Sequence, residues 1–355
     1  MKARPKIVAS KSVKPLLGIT MGDPAGIGPE VIAKALARPQ LRRLCRPMVI
    51  GSVPVMRQTV KQLKIALDVV PVDGHENGDA FRSGRIAILD PLEQPLGGFR
   101  SGVAAPETGA ASVAFIKKGV HLAQTGCIDG IVTAPINKEA INMAGCHYPG
   151  HTELLADLTH SPESGMMIVG GPLKIMFVTT HVAIKELPAV LTQARIEKAI
   201  RLAHMALREL FHIQKPRIGV AALNPHAGEH GLFGNEEATA IRPAARAAQA
   251  QGILASDPLP ADTLFGKAAR GDYDGVVAMY HDQGLIPLKL VAFGTCVNVT
   301  VGLPIIRSSV DHGTAYDIAG KGVADHGSLL EAVKLAAKLA RGRGYRRPAA
   351  LEGLA

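Results

Sequence analysis

The chain has 355 residues, of which 47% are hydrophobic and 20% are charged, so it is long enough for about two domains and too apolar to be disordered. Two basic segments, 1–14 and 338–347, account for its net charge of +10, and the rest of the chain is neutral on balance; together with the absence of tryptophan, this argues against nucleic-acid binding. No apolar run approaches the roughly 18 residues of a membrane helix, and residues 1–14 lack the apolar core of a signal peptide, so we expect a cytoplasmic protein with neither a nucleic-acid nor a membrane partner.

Short apolar runs rich in β-branched residues alternate with amphipathic stretches along the chain. The apolar runs predict buried strands at 16–20, 47–51, 129–133, 175–180, 217–223, 274–280 and 296–300. Apolar residues at helical spacing predict helices over 111–124, 194–211 and 329–339, and the Gly- and Pro-rich segment 91–106 predicts a loop between lobes. This alternation predicts an α/β protein over 15–342, flanked by basic tails at 1–14 and 343–355.

A Gly-rich turn, GDPAGIGPE at 22–30, follows the first predicted strand and precedes a predicted helix. Its glycines lack the spacing of the dinucleotide-binding fingerprint, and the G-K-[ST] ending of a Walker A loop is missing. Pro29 is typical of a first helical turn. This pattern alone favours an ordinary tight turn over a ligand site.

Three histidines, His181, His226 and His281, directly follow or lie just beyond three predicted strands. Ligands gather at the carboxyl ends of strands in open α/β sheets, and three imidazoles there would bind a divalent metal with positions left open for substrate. Each histidine could instead merely cap its strand, but three equivalent settings favour the metal. Three imidazoles favour zinc, with magnesium, cobalt or manganese as alternatives.

Two predicted helix starts carry polar residues. His151 and Thr152 begin one helix, where free backbone N–H groups favour an anion, although capping by Thr152 also explains them. Asp262 and Thr263 begin another helix, and capping alone would also explain these two. We therefore retain both an anion-binding and a purely structural interpretation.

Lys289, Asn298 and Arg307 follow His281 in apolar surroundings. Two cations and an amide suit a phosphate or a carboxylate. Cations beside apolar strands also commonly extend their charged ends to solvent, and the spacing supports both interpretations equally. A long loop, 309–328, precedes the last helix, and loops of this length are usually functional or disordered.

None of the four cysteines forms a C-x-x-C pair, which excludes a zinc knuckle and a thioredoxin-like motif. Cys127 and Cys296 border apolar stretches, so we expect both to be buried. Any metal ligands are therefore histidines or carboxylates.

Several motifs taken together resemble the 4-hydroxythreonine-4-phosphate dehydrogenase (PdxA) family, and the match runs from about residue 16 to residue 340. The motifs are TMGDPAGIGPE (20–30), PGHTELL (149–155), NPHAGE (224–229), LPADT (259–263), MYHDQG (279–284) and SVDHGTAYDIAGKG (309–322). The last also looks like the cofactor loop of isocitrate and isopropylmalate dehydrogenases. The resemblance therefore implies their two-lobed fold, with the active site in the cleft between lobes, and not a GxGxxG Rossmann domain.

The resemblance also implies roles for individual residues, within an obligate homodimer whose active site lies at the subunit interface and takes its third metal histidine from the partner chain. The metal ligands are His181, His226 and His281; the substrate ligands are His151, Thr152, Lys289, Asn298 and Arg307; the catalytic candidates are His151, Asp262 and Lys289; the cofactor ligands are His312, Gly313, Thr314, Asp317 and Lys321. Asp317 suits a ribose hydroxyl better than a 2′-phosphate, which favours NAD, with NADP possible.

The implied reaction is NAD- and metal-dependent oxidation of 4-phosphohydroxy-L-threonine, with decarboxylation to 3-amino-2-oxopropyl phosphate, in pyridoxal 5′-phosphate (vitamin B6) biosynthesis. The substrate is thus a small phosphorylated hydroxy acid. Relatives with the same motifs oxidise 4-phospho-D-threonate or 4-phospho-D-erythronate, or the cis-dihydrodiol of terephthalate, and these remain alternatives. A binding or regulatory protein with the same fold and no catalysis is a rival of another class, against which the intact cofactor loop weighs.

Overall fold

The computed structural model describes residues 14–73 and 78–341. Apart from Lys14, the basic tails predicted at 1–14 and 343–355 lie outside these residues. No helix within the two described ranges combines the length and hydropathy needed to cross a membrane.

The strands lie close to the predicted apolar runs. They are β1 (Leu16–Thr20), β2 (Arg46–Ile50), β3 (Asp68–Pro71), β4 (Arg85–Leu89), β5 (Gly130–Thr133), β6 (Gly165–Gly170), β7 (Leu173–Phe177), β8 (Arg217–Val220), β9 (Leu254–Ala255), β10 (Gly275–Ala278), β11 (Val297–Val301) and β12 (Arg307–Ser309). All seven predicted strands are confirmed.

The helices include the three that were predicted. They are α1 (Gly28–Leu36), α2 (Pro39–Leu44), α3 (Val53–Gln62), α4 (Pro106–Gln124), α5 (Lys138–Met143), α6 (His151–Leu158), α7 (Leu187–Val190), α8 (Gln193–Glu209), α9 (Arg242–Ala250), α10 (Ala261–Ala269), α11 (His281–Ala292) and α12 (Gly327–Arg341). Helix α4 begins five residues before its predicted start because Pro106 suits the first turn, where no N–H partner is needed.

The strands form one sheet in the order β3-β4-β2-β1-β5-β12-β11-β6-β7-β10-β8-β9. Strands β1 to β5 and β12 are mutually parallel, and so are β7, β8, β9 and β10. Between these two parallel blocks, β11 and β6 pair with their neighbours in antiparallel fashion. The α/β class is confirmed, with antiparallel strands joining two parallel halves.

Helices cover both faces of the sheet, which explains why the strands have continuous apolar sequences. On β7, Ile175 and Phe177 pack with α10 and α11 in a smaller core, whereas Met176 points into the large core beneath α8. This alternation follows from the two-residue period of a strand.

One expectation about the cysteines is wrong. Cys296 is buried, but Cys127 is exposed. Cys127 lies in the short turn between α4 and β5, and turns of this kind run over the protein surface.

Candidate active site

Two of the three candidate metal ligands meet because their strands are neighbours. Strands β7 and β10 are parallel, with Phe177 opposite Ala278, so the segments that follow them leave the sheet side by side. His181 and His281 thereby come together, with ring centroids 5.9 Å apart. Nδ1 of His281 lies 2.6 Å from Oδ1 of Asp282, which leaves Nε2 free for another partner.

The third histidine, His226, does not form a three-residue cluster with this pair among the described residues. The His226 ring packs 6.2 Å from the Phe233 ring, and the side chain is exposed. Among the described residues, no three His, Cys, Asp or Glu side chains are arranged to hold a metal ion. A single chain therefore supplies a pair of imidazoles and a separate third one.

An unusual backbone presents His226. Residues 226–230 all have left-handed conformations, with φ values of 51°, 54°, 79°, 41° and 56°. Only Gly228 adopts such a conformation readily, and each other residue costs about 1–2 kcal/mol. We call residues 226–230 the left-handed turn. Strain of this kind persists only where the surrounding structure holds it, and it is concentrated at functional sites.

A cavity of about 680 Å³ gathers most of the predicted substrate ligands. It is lined by residues that follow β5, β7 and β12, together with helices α6 and α8. The predicted residues on its wall are His151, Thr152, His181, Asn298 and Arg307. A larger cavity of about 790 Å³ lies between α4 and α6, but none of the predicted site residues lines it.

Arg307 is the most informative residue of this cavity, since it is 2% exposed and forms no ion pair among the described residues. The one carboxylate on the cavity wall, that of Glu153, acts on Arg307 through its charge without contacting it as an ion pair. Its Nη1 and Nη2 donate to the hydroxyls of Thr300 and Thr133 at 2.8 Å each, and its Nε has no protein partner in the described chain. Burial lowers the pKa of Arg307 to about 9, so the group stays charged at neutral pH. A buried cation without an ion-pair partner is costly, and the four cations on the wall outnumber the one carboxylate, Glu153, so the cavity suits an anionic ligand.

Two other cavity residues have polar atoms without a hydrogen-bond partner among the described residues. Nε2 of His151 and Oδ1 of Asn298 are buried without a partner in the described part of the chain. Burial, with a contribution from the charge of Arg307, lowers the pKa of His151 well below its usual range, so the imidazole is neutral at pH 7. Buried polar groups are ordinarily bonded, so these atoms indicate the place of a polar ligand.

Three further cations line the same cavity and were not singled out from the sequence. They are Lys138 at the start of α5 and Arg195 and Lys198 on α8. Lys198 donates to the Pro162 carbonyl at 3.0 Å. Together with Arg307 they make the cavity strongly positive. The NKEA sequence at a helix start could have indicated Lys138, but cations on an amphipathic helix usually face solvent.

Two predicted catalytic candidates do not line this cavity. Lys289 lies on α11 and forms an ion pair with Asp311 at 3.5 Å. Asp262 lies in the first turn of α10 and is exposed. Neither side chain is brought to Arg307 within one chain.

The predicted cofactor loop lies against the Gly-rich turn. The backbone N–H of Ile27 donates to the Thr314 carbonyl at 3.0 Å, and the Tyr316 hydroxyl donates to the Asp23 carboxylate at 2.5 Å. A Cβ on Gly26 would come within 3.0 Å of Thr314, so this glycine permits the close approach. The Gly-rich turn is thus a tight turn, as its spacing favoured, and it supports the loop.

A buried carboxylate holds the far end of the same loop. Glu30 is 4% exposed and accepts hydrogen bonds from the backbone N–H groups of Gly322 and Ala324, at 3.1 and 2.7 Å. Lys34 pairs with Glu30 at 2.8 Å and donates to the carbonyls of the same two residues. Contacts within one chain therefore hold both ends of the segment 312–324.

Space for a cofactor adjoins this loop. A cavity of about 240 Å³ is lined by Gly26, Glu30, residues 96–99 and residues 320–322, which include Lys321. Nε2 of His312 is buried without a described partner, and Asp317 is exposed. These groups fit a polar ligand bound along the loop. Of the predicted cofactor ligands only Lys321 lines this cavity; the others, which lie in the same loop, do not: His312, Gly313, Thr314 and Asp317.

The donor set also fits a divalent metal. Neutral imidazoles suit zinc, and a carboxylate bonded to the second ring nitrogen, as Asp282 is to His281, is the usual support of a metal-binding histidine. The set is incomplete within one chain, because His226 is separate.

The fold and the two cavities define an α/β protein with a cavity lined mainly by cations and a separate cavity beside the loop 312–324. Residues 43–336 match the family model described as pyridoxal phosphate biosynthetic protein PdxA. The chain belongs to this family, and its relatives named as dehydrogenases make it an oxidoreductase.

Individual relatives carry two different names. The chain is 48% identical to the 4-hydroxythreonine-4-phosphate dehydrogenase of Desulfosudis oleivorans, over 95% of this chain and 99% of that one. It is 47% identical to the D-threonate 4-phosphate dehydrogenase of Cupriavidus necator, over 93% and 98%. The crystal structure of 4-hydroxythreonine-4-phosphate dehydrogenase from Klebsiella pneumoniae superposes with a TM-score of 0.85 at 41% identity, over 92% and 99%.

Proposed function

We propose that the protein oxidises the C3 hydroxyl of 4-phosphohydroxy-L-threonine with NAD. The β-keto acid, 2-amino-3-oxo-4-phosphobutanoate, then loses CO2 to give 3-amino-2-oxopropyl phosphate, a step of vitamin B6 biosynthesis. The observation that carries this proposal is Arg307, a buried cation with only hydroxyl partners on the wall of a positively charged cavity. Such a cation needs an anion, and this substrate has both a phosphate and a carboxylate.

The cavity residues divide the work of binding. Arg307 and the nearby cations Lys138, Arg195 and Lys198 neutralise the anionic groups of the substrate. His151 stands at the first position of α6, where free backbone N–H groups also favour an anion. Its neutral imidazole and the Asn298 amide can form hydrogen bonds that orient the reacting hydroxyl.

A divalent metal, zinc by ligand type, with magnesium, cobalt or manganese as alternatives, would be held by His181 and His281 together with the partner subunit's His226. When bound, it would supply a Lewis acid that lowers the pKa of the hydroxyl and stabilises the charge formed on decarboxylation. The carboxylate of Asp282 orients His281 for this purpose.

A homodimer follows from the same reasoning. Helix α11, which begins at His281, exposes apolar side chains at Ile286 (60%) and Leu290 (81%), and Phe293 (83%) directly follows it. An exposed apolar row beside an incomplete site suits a second copy of the chain. A sedimentation measurement should therefore give twice the chain mass, and a monomer that remains fully active would contradict a shared site.

We assign the cofactor to the loop 312–324, in agreement with its close fit to the Gly-rich turn. NAD is preferred over NADP because the exposed carboxylate of Asp317 suits ribose hydroxyls and repels a 2′-phosphate. Hydride passes from C3 to the nicotinamide. Asp317→Ala should raise the KM for NAD and leave the substrate KM unchanged.

A second candidate substrate is 4-phospho-D-threonate or the related erythronate. The relative named D-threonate 4-phosphate dehydrogenase is as similar to this chain as the relative named for hydroxythreonine phosphate. Both substrates present a phosphate and a carboxylate to Arg307. The cis-dihydrodiol of terephthalate is a weaker alternative, since it has carboxylates and no phosphate.

A side-by-side assay separates these candidates. Purified dimer is supplied with NAD, zinc and either 4-phosphohydroxy-L-threonine or 4-phospho-D-threonate, and NADH formation is followed. We expect the larger kcat/KM with the amino acid. Turnover of the threonate alone would overturn the assignment, and turnover of neither would favour a binding protein.

A further inference from the structure

We propose that Glu237 is a positioning residue, whose buried carboxylate holds the left-handed turn in the conformation that presents His226 to a divalent metal. The proposal rests on the metal site proposed above. It assigns to Glu237 no contact with metal or substrate, and a role only through the backbone of the turn.

The side-chain hydrogen bonds that Glu237 accepts within the described residues come from the two residues that lead into the turn. Its side chain is 2% exposed, and Oε1 accepts hydrogen bonds from the backbone N–H groups of Leu223 and Asn224, at 2.8 and 2.7 Å. Oε2 accepts from Nδ2 of Asn224 at 3.0 Å and lies where a Cβ on Gly228 would come within 2.7 Å. The carboxylate thus bonds to the two residues that lead into the turn and packs against its central glycine.

No cation forms an ion pair with Glu237 among the described residues. A buried carboxylate of this kind is stabilised only by the N–H groups that it accepts from, and it therefore fixes their positions strongly. Glu237 also begins a π-helical turn, Glu237–Ile241, which leads into α9. Such turns are rare and are frequent at functional sites.

Burial gives the left-handed turn little stability of its own. His226, Glu229 and His230 are exposed, and Gly228 is the buried member. A strained segment that buries few side chains is not explained by packing. A function that would account for the strain is to hold the exposed His226 imidazole at a fixed position.

An amide cannot replace this carboxylate. In Glu237→Gln, Oε1 can still accept the two backbone N–H groups, but Nε2 would face Nδ2 of Asn224, which is also a donor. The Asn224 amide is not free to rotate, since Nδ2 also donates to Oε2 of Glu236 at 2.6 Å. The substitution keeps the volume and removes one acceptor.

Glu30→Gln is the control, because Glu30 is also buried and also accepts from two backbone N–H groups, which here belong to the cofactor loop. Glu30 differs from Glu237 in its ion pair with Lys34. The affinity of the metal-free, full-length protein for Zn²⁺ alone is measured by competition with a chromogenic chelator, beside thermal unfolding. We expect both variants to unfold at lower temperature. Only Glu237→Gln should bind zinc more weakly, by about 10–100-fold, as is usual when the support of a metal ligand is lost.

A rescue variant tests the mechanism. Ala227 has φ 54°, so Ala227→Gly lowers the strain that the carboxylate must hold. In the double variant with Glu237→Gln we expect zinc affinity to recover by severalfold. Because its backbone strain is lower, the double variant can also be compared with wild type if Glu237→Gln alone fails to fold. No recovery in a folded double variant would overturn the role assigned to the turn.

The remaining outcomes are distinct. If Glu237→Gln, or the double variant in its place, binds zinc as wild type does while His226→Ala does not, the positioning role is wrong and the metal site stands. If His226→Ala also binds zinc like wild type, the proposed metal site itself is wrong, and the positioning role fails with it.

Discussion

Two regions that carry the predicted chemistry differ in how much one chain completes. The cofactor region, residues 22–30 with 312–324, is closed by contacts within the chain, among them Tyr316 to Asp23 and Glu30 to Ala324. The histidine region, residues 177–182, 223–237 and 278–283, has His181 and His281 together but leaves His226 apart on a strained, exposed turn. We infer that the cofactor side is organised by one subunit and the metal side by two.

The largest expected effect concerns the cavity beside the histidine region. Arg307→Met should lower kcat/KM by roughly 10²–10³-fold, because a charge-assisted contact to the substrate anion is lost. The free energy of unfolding should be unchanged or higher, since a buried cation without a carboxylate partner costs desolvation. Steady-state kinetics and urea unfolding check the two parts, and equal losses of stability and activity would indicate a structural role for Arg307.

A substitution in the cofactor region should weaken cofactor binding and leave metal binding unchanged. In Gly26→Ala the new Cβ would lie 3.0 Å from the Thr314 carbonyl, so the loop must move. We expect the KM for NAD to rise by about tenfold, with zinc affinity unchanged. Gly266→Ala is the control, because its Cβ would meet only the end of Arg270 at 3.7 Å. A loss of zinc in Gly26→Ala would refute the independence of the two regions.

Tyr316→Phe gives a smaller effect that depends on pH. Burial raises the pKa of Asp23, while the Tyr316 hydroxyl lowers it by bonding to the ionised form. The pKa of Asp23 in the folded protein lies above the ordinary value of 3.8, so stability is lost as pH rises from 3.8 to the folded pKa. Removing the Tyr316 hydroxyl raises the folded pKa further and therefore enlarges this loss.

The difference in unfolding free energy between wild type and Tyr316→Phe should therefore be smallest in acid and reach about 1–2 kcal/mol at neutral pH. Tyr148→Phe removes a similar bond, 2.5 Å from Asp157, at an exposed position and should cost less. A pH-independent difference would contradict the role given to Asp23.

The smallest expected effect is a gain in stability. Ala227→Gly alone should raise the free energy of unfolding by about 0.5–1 kcal/mol, because glycine relieves left-handed strain at some cost in chain entropy. Equilibrium unfolding measures it. Destabilisation would mean that the turn is not strained at this position.

Much of this arrangement follows from the sequence, because strands buried on both faces produce continuous apolar runs. Polar residues within or beside these runs were therefore identifiable, among them His281 directly after β10 and Asn298 inside β11. The meeting of His181 with His281 requires knowing that β7 and β10 are neighbours, although β8 and β9 lie between them in the chain.

Other features have no sequence signal. Ala227 and Glu229 belong to residue types that are ordinarily right-handed or extended, so their left-handed conformations could not be predicted from the local sequence. Lys138 and Arg195 look like solvent-facing helix residues and gain a role only when the cavity forms beside them. Tertiary contacts, and not local preference, decide these cases.

Mixing two inactive variants tests the shared metal site most directly. His181→Ala and His226→Ala are each prepared, dissociated, combined in equal amounts and reassociated, and NADH formation is measured. In a mixed dimer one site keeps His181 of one subunit and the partner's His226, while the other site loses both. Half of the dimers are mixed and half of their sites are intact, so the account predicts recovery of about a quarter of wild-type activity. No recovery from variants that demonstrably form mixed dimers would place the whole site within one chain and contradict the account.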